Sequence, residues 1–295
     1  MVRGRARVGG VDKVFRNLLL GLDSLGVRYA VNVPFDRLRD DDNVAVLGRG
    51  RYALRGYNRA NRIVAGIGLM THPSEWPTLC EDYPVVRYLQ HSAWTSAIYE
   101  PYFGDRCGVW AVGIDTEAWK PARAVRDIDI LVYDKLLWDR PAYEARLLQP
   151  LLGSLQARKL RLAIVRYGQY TERTYRALLA RAKAMIFLSA HESQGLAYQE
   201  CLSSGVPVLA WDQGWWLDPN RVEWGMPKVA ATSVPYFDAR CGETFEGIEE
   251  FELKLSDFLA RLRGGAYDPR GFVVENLTLE ARAQAFIDVL RAHTA

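Results

Sequence analysis

The chain has 295 residues, 49% hydrophobic and 25% charged, a globular balance with length enough for two domains of ordinary size. A formal net charge of +3, with arginines spread along the chain, excludes the concentrated basic stripe of a nucleic-acid binder. The four cysteines lack zinc-site spacing, and no window approaches the ~18 uninterrupted apolar residues of a membrane span, so a chain of the cytoplasm, at most peripheral on a membrane, is expected.

In chain order, "VDKVFRNLLLGLDSLG" carries apolar residues at Val11, Val14, Phe15, Leu18, Leu19 and Leu22, the spacing of an amphipathic helix, with Gly26 as its stop. "VRYAVNV", "NVAVLG", "NRIVAGIGLM" and "YPVVRYLQ" have the length and composition of strands, and "SAWTSAIYEPYFG" reads as a helix before "CGVWAVGID". The arginines from Arg49 to Arg62 form either a solvated face or a surface for an acidic lipid or substrate. The alternation breaks near Pro121 and then resumes. "IDILVYD", "LRLAIVRY", "AMIFLSA" and "VPVLAW" are strands. "PAYEARLLQPLLGSLQ" and "TERTYRALLARAK" are helices, with Pro141 in a first turn, Pro150 as a kink and Thr171 as an N-cap. "TLEARAQAFIDVLRAH" is a terminal helix. This pattern predicts two α/β domains facing a cleft, 1–118 and 119–277, with helix 278–295 packing back towards the first. Ligands in such sheets bind beyond the carboxyl ends of the strands.

The most informative stretch is "SAHESQGLAYQECLSSGVPVLAW", from Ser189 to Trp211. A helix is expected from near Gly195 to Gly205. Its N-terminus then meets the open end of a strand, where free N–H groups favour an anion and a glycine lets phosphate approach. Glu200 on the second turn has the acceptors for a ribose diol, and Glu192 in the loop reaches the ligand's other end. On spacing alone, two acids eight positions apart fit an exposed surface equally well.

The whole stretch resembles the signature of the retaining GT-B glycosyltransferases of family 4, with Ser189, Glu192, Gly195, Leu196, Glu200, Gly205, Pro207 and Val208 in register. Gln194 stands in place of the usual aromatic and Ser193 in place of a glycine. "VGIDTEAWKP" is similar to the same family's interdomain "GVDTxxFxP", and "VGGVDKVFRNLLLGLDSLG", with Gly10, to its first glycine loop. The resemblance implies a GT-B fold of two Rossmann-like domains, somewhat shortened, and an enzyme that binds a nucleotide-sugar donor and a glycan or lipid-linked acceptor. It implies Lys135 and Arg140 on the donor diphosphate. His191, Gln194, Gly195, Leu196 and Gly10 lie near the donor, and Glu200 on the ribose. Glu192 orients the sugar, with His91 or His72 on its other side. No cofactor and no metal are expected. Such chains usually run longer, with a strand ahead of the double glycine and one more strand–helix unit after "IDILVYD". A non-catalytic nucleotide-sugar-binding subunit and a nucleotide-sugar epimerase of the same fold are the alternatives.

Two further features stand apart. Asp127 and Asp129 in "RDID" have D-x-D metal spacing but precede their strand, so solvated strand-entry residues are expected. The tryptophans of "WDQGWWLDP" either pack in the core or stack on a sugar, a base or a lipid acceptor.

Overall fold

The computed structural model describes residues 10–48, 50–226 and 228–294, leaving out the side chain of residue 51. The start of the chain, "MVRGRARV", where members of the resembled family carry a strand ahead of the double glycine, lies outside the described residues. The chain forms two compact units, Met1–Gly113 with Leu277–Ala295, and Ile114–Asn276.

The first unit contains α1 (Gly10–Ser24), β1 (Val44–Leu47), β2 (Ile63–Gly66), α2 (Leu79–Asp82), β3 (Val85–Gln90), α3 (Ala93–Phe103) and β4 (Cys107–Val109). Its four strands pair in parallel in the order β1-β2-β3-β4. β2 is buried along its whole length, as a strand covered on both faces must be, which is why "IVAG" reads as a continuous apolar run. Tyr88 of β3 stacks on Tyr99 of α3 with ring centres 5.1 Å apart. The stretch "VRYAVNV" is not a strand. Residues 27–34 form no ladder, and Tyr29 and Val31 are about two-fifths exposed, at 40% and 41%. An apolar run earns a place in a sheet only when a neighbour covers it, and none does here.

The second unit runs β5 (Ile128–Lys135), α4 (Arg140–Tyr143), α5 (Gln149–Ala157), β6 (Leu162–Arg166), α6 (Glu172–Leu179), β7 (Ala182–Ser189), α7 (Leu196–Ser203), β8 (Val208–Trp211), α8 (Asn220–Glu223), β9 (Gly242–Phe245), α9 (Ile248–Arg263) and α10 (Pro269–Asn276). α4 passes through a π turn, Glu144–Leu148, into α5, so the ladder widens just ahead of Pro150, which has no N–H to give. Thr171 caps α6, its hydroxyl accepting from the Thr174 N–H. The five strands are parallel in the order β6-β5-β7-β8-β9. Ile130, Val132, Ala184, Ile186 and Leu209 meet Leu151, Leu155, Phe251 and Phe258 from the helices in one core. The last helix, α11 (Leu279–Thr294), belongs to the first unit and packs on α1. There Trp110 Nε1 donates to the Arg282 carbonyl at 2.8 Å.

Candidate functional site

In the second unit the strand order reverses between β5 and β7, because β6 lies on one side of β5 and all later strands on the other. Loops leaving two strands at such a reversal run to opposite faces and open a crevice at the carboxyl ends. β5 ends at Lys135 and β7 at Ser189, and these two residues are paired in register.

Lys135 Nζ donates to both oxygens of Glu192, at 2.7 and 2.8 Å, and Ser189 Oγ donates to Glu192 Oε1 at 2.9 Å. The Glu192 backbone N–H donates to the Thr232 carbonyl at 2.9 Å, so the loop is held at both ends. Three tyrosines that the sequence does not single out for the site join this group. Tyr167 lies with its ring centre 4.8 Å from Lys135 Nζ and is 45% exposed, so part of its surface is open to a ligand. The hydroxyls of Tyr133 and Tyr170 meet at 2.6 Å, and burial pushes Tyr170 up to about 12, so it keeps its proton. The sequence signal for Tyr167 and Tyr170 is "RYGQY", which starts with the last two letters of the expected strand "LRLAIVRY" and runs up to the helix capped by Thr171.

α7 is aimed at the crevice by its other end. Arg126 donates to the carbonyls of Ser204 and Gly205, at 3.2 and 3.0 Å, and Arg270 to those of Ser203 and Thr116, at 2.9 and 3.0 Å. Cations on the last carbonyls satisfy groups that a helix leaves open and favour its dipole. Ser204 Oγ also donates to the Trp119 carbonyl at 3.5 Å, so the "DTEAWKP" segment and the C-terminus of α7, two separate stretches of the sequence resemblance, are in contact.

At the N-terminus of α7, Gly195 has φ +85, in the left-handed region, and a Cβ there would fall inside the Tyr198 ring. A glycine is therefore demanded by backbone and packing together. Gln194 is buried. Its Nε2 donates to Gln199 Oε1 and Gln199 Nε2 donates back to the Gln194 carbonyl, each at 3.0 Å, so it braces the loop against α7. Leu196 opens the helix half-buried, and Glu200 lies one turn further on, 3% exposed. His191 is desolvated and beside Lys135. Both effects disfavour its charged form and bring it down to about 4.

Arg140 is placed otherwise. Its guanidinium forks onto Asp134, Nη1 to Oδ1 at 3.0 Å and Nη2 to Oδ2 at 2.7 Å, with Nε 3.5 Å from Glu144. Asp134 is 3% exposed, so Arg140 neutralises a buried carboxylate at the same strand end from which Lys135 reaches Glu192.

The remaining candidates lie in the first unit. Gly10 begins α1, exposed, with open space where a side chain would go. His91 follows β3 and precedes Ser92, the N-cap of α3. His72 is fully buried. Its Nδ1 accepts from the Ser74 N–H at 3.2 Å and burial lowers its pKa, while Glu75 closes a capping box. Asp127 and Asp129 sit at the amino end of β5, away from the crevice. Asp127 is ion-paired with Arg181 at 2.6 Å, and Asp129 with Lys183 and Arg161 at 2.7 and 3.1 Å.

The fold is the GT-B type, two parallel α/β units. Solved structures with this architecture resemble the chain at low identity. TarM superposes with a TM-score of 0.55 at 10% identity over 81% of this chain and 52% of that one. A glycosyltransferase from Rickettsia africae ESF-5 superposes at 0.57 and 11% over 99% and 83%. WaaG, a glycosyltransferase involved in lipopolysaccharide biosynthesis, does so at 0.53 and 12% over 96% of each chain. The chain thus spans about half the length of TarM and nearly the whole of WaaG. No family model and no curated protein matches the sequence.

Proposed function

We propose that this chain is a retaining, metal-independent glycosyltransferase that moves a sugar from a nucleoside-diphosphate donor to a glycan or lipid-linked acceptor. The observation that carries this reading is the meeting of Lys135, Ser189 and Glu192 at the β5/β7 reversal, beside the N-terminus of α7. As the bond from the anomeric carbon to the diphosphate breaks, the sugar turns oxocarbenium-like and negative charge builds on the leaving group. Lys135 and the N–H groups of the first turn of α7 are fixed positive partners for that charge, and fixed partners need no reorganisation when it appears. Glu192 holds Lys135 in place and accepts from the donor sugar's hydroxyls. Glu200 accepts from the ribose diol, and Tyr167 offers its exposed surface to the base or ribose. Arg140 holds Asp134, so the diphosphate falls to Lys135. His191, neutral above about pH 4, hydrogen-bonds the donor without adding charge. Of the histidines in the other unit, His91 is kept for the sugar's far side and His72 is not, because its Nδ1 already caps a helical turn.

The neighbours support the kinds of ligand. TarM from S. aureus was crystallised as a variant with fondaparinux, alpha-GlcNAc-glycerol and UDP. Among the described residues no helix is long and apolar enough to cross a membrane. A lipid-linked acceptor would then be met from the membrane surface.

The test is thermal melting against UDP, GDP, ADP and dTDP, with and without Mg²⁺. A ligand at 100 times its Kd adds about 2.7 kcal/mol to stability. One nucleotide is expected to raise the melting temperature without Mg²⁺, and Glu200→Gln to remove most of that rise. A melt that no nucleotide shifts would sink the reading, and a shift that needs Mg²⁺ would overturn metal independence.

A further inference from the structure

The connection from β8 to β9 covers residues 212–241 and holds one short helix, α8. Connections in α/β units usually take about 2–6 residues, and longer ones in compact domains tend to carry function. This one is built rather than loose. Asp212 accepts from Thr232 Oγ1 at 2.7 Å and from the Ser233 N–H at 2.8 Å, which closes the base. Within it Trp215 and Ala230 are antiparallel bridge partners, the Trp216 N–H donates to the Val229 carbonyl at 2.9 Å, and that of Ala231 to Gly214 at 3.0 Å. The ribbon is pinned to the candidate site. Gln213 Nε2 donates to the Ala190 carbonyl at 2.9 Å and also to that of Trp215, while Thr232 receives the Glu192 N–H.

A bridged ribbon turns successive side chains to opposite faces. On one face Trp216 is buried, stacked on Trp224 with ring centres 5.7 Å apart and edge-on to His191 at 6.5 Å. Core packing accounts for that pair. The other face bears Trp215, Lys228 and Ala230, all exposed, with Lys228 Nζ 3.9 Å from the Trp215 ring centre. Core packing does not account for a tryptophan left 41% exposed.

We infer that this outer face is an acceptor-sugar subsite, where Trp215 stacks on a pyranose ring and Lys228 pairs with an anionic group on the same glycan. The inference rests on the glycosyltransferase reading. The inner face, with Trp216, is edge-on to His191, which the proposed function assigns to the donor, and the outer face is turned away from that histidine. An indole face attracts the apolar C–H side of a sugar as it attracts a cation; Lys228 takes one face of the ring, so the sugar stacks on the other, with the ammonium within reach of an anionic group at the ring's edge. The anionic group is a carboxylate or a phosphate.

The experiment follows tryptophan fluorescence and calorimetric binding of tetragalacturonate, glucose 6-phosphate and neutral maltotetraose, each with the nucleotide melt run in parallel. One of the two anionic probes is expected to bind, which also tells carboxylate from phosphate, and maltotetraose at least about tenfold more weakly. Trp215→Ala weakens binding by at least about tenfold and Trp215→Phe recovers part of it. Lys228→Gln erases the preference for charge. All three variants keep the wild-type nucleotide shift, which also shows that they fold. The inference is overturned if no probe binds, if Trp215→Ala leaves binding unchanged, if maltotetraose binds as well as the anionic probes, or if Trp215→Ala abolishes the nucleotide shift, which would place Trp215 in the donor site. Loss of the nucleotide shift in the wild type alone strikes the glycosyltransferase reading, with the sugar titrations still readable.

Discussion

The carboxyl ends of the two sheets differ in what they gather. In the second unit the strand order reverses between β5 and β7, and Lys135, Ser189 and Glu192 meet there with Asp134 and Arg140 behind them. In the first unit the order β1-β2-β3-β4 has no reversal among the described residues, and β3 ends at Gln90 and is followed by His91 and Ser92, all three buried and polar, none a carboxylate or an ammonium group. Where loops part, a crevice opens and buried charges gather at it. At the end of the first sheet the carboxylate of Glu75 is spent on backbone N–H groups of its own turn. Topology thus decides which end carries charge chemistry.

The sharpest way to break this comparison lies inside the charged end itself. The two ion pairs at the end of β5 are assigned different work, Asp134–Arg140 to the fold and Lys135–Glu192 to the ligand. Removing one partner of a buried pair costs about 3–5 kcal/mol, because the other charge is left without compensation. Arg140→Met should therefore lose that much in a urea titration. The double variant Lys135→Met with Glu192→Gln removes both charges together, so it should cost about 1 kcal/mol or less and abolish the nucleotide-induced melt shift. If Arg140→Met instead keeps its stability and loses the nucleotide, Arg140 belongs on the diphosphate.

Next in size is the pH dependence centred on His191. Its folded pKa is about 4 against an ordinary 6.5, so between those values the unfolded chain binds a proton that the folded chain refuses. Stability then rises with pH through this window, is fully present above about 6.5 and is lost on acidification towards about 4. The full span corresponds to about 3 kcal/mol. His191→Asn should flatten the profile from pH 4 to 6.5 in urea titrations. A profile with the same slope as the wild type would show that other groups set it. Burial lowers His72 as well, with the same sign, so a shallower slope remains in the variant.

Much of the second unit was legible in its sequence, for a physical reason. β5 and β7 are covered on both faces along most of their length, so "ILVY" and "AMIFL" read as apolar runs, and Gly195 and Gly205, with φ +85 and +70, mark the two ends of α7 in the letters themselves. "VRYAVNV" misled because composition does not say whether a run will be covered. The work of Arg140 was hidden because a carboxylate six residues away is an ordinary spacing until β5 ends and the chain folds back on it. The tryptophans of "WDQGWW" separated only once the Trp215–Ala230 bridge put neighbours on opposite faces. Ion pairs and faces are properties of pairs of segments, which one segment's pattern does not record.

The smallest effect tests the first unit. His72 caps the 3₁₀ turn Pro73–Glu75, where its Nδ1 accepts from the Ser74 N–H and lies 2.7 Å from Ser74 Oγ, while Glu75 Oε1 accepts from the N–H of His72 at 3.2 Å and of Thr71 at 3.3 Å. An N-cap is worth about 1 kcal/mol, and asparagine caps well while alanine does not. His72→Ala should lose about that much, with a further loss from the cavity, and His72→Asn should recover the capping part. Sugar transfer, measured at a temperature where all three proteins are folded, should be unchanged within about twofold, since 0.4 kcal/mol in a barrier is about a factor of two. If His72→Asn is as stable as the wild type yet has lost most of its transfer rate, the imidazole is acting on the sugar. The end of the first sheet would then hold chemistry after all, and the division of labour drawn from strand order would fail at that residue.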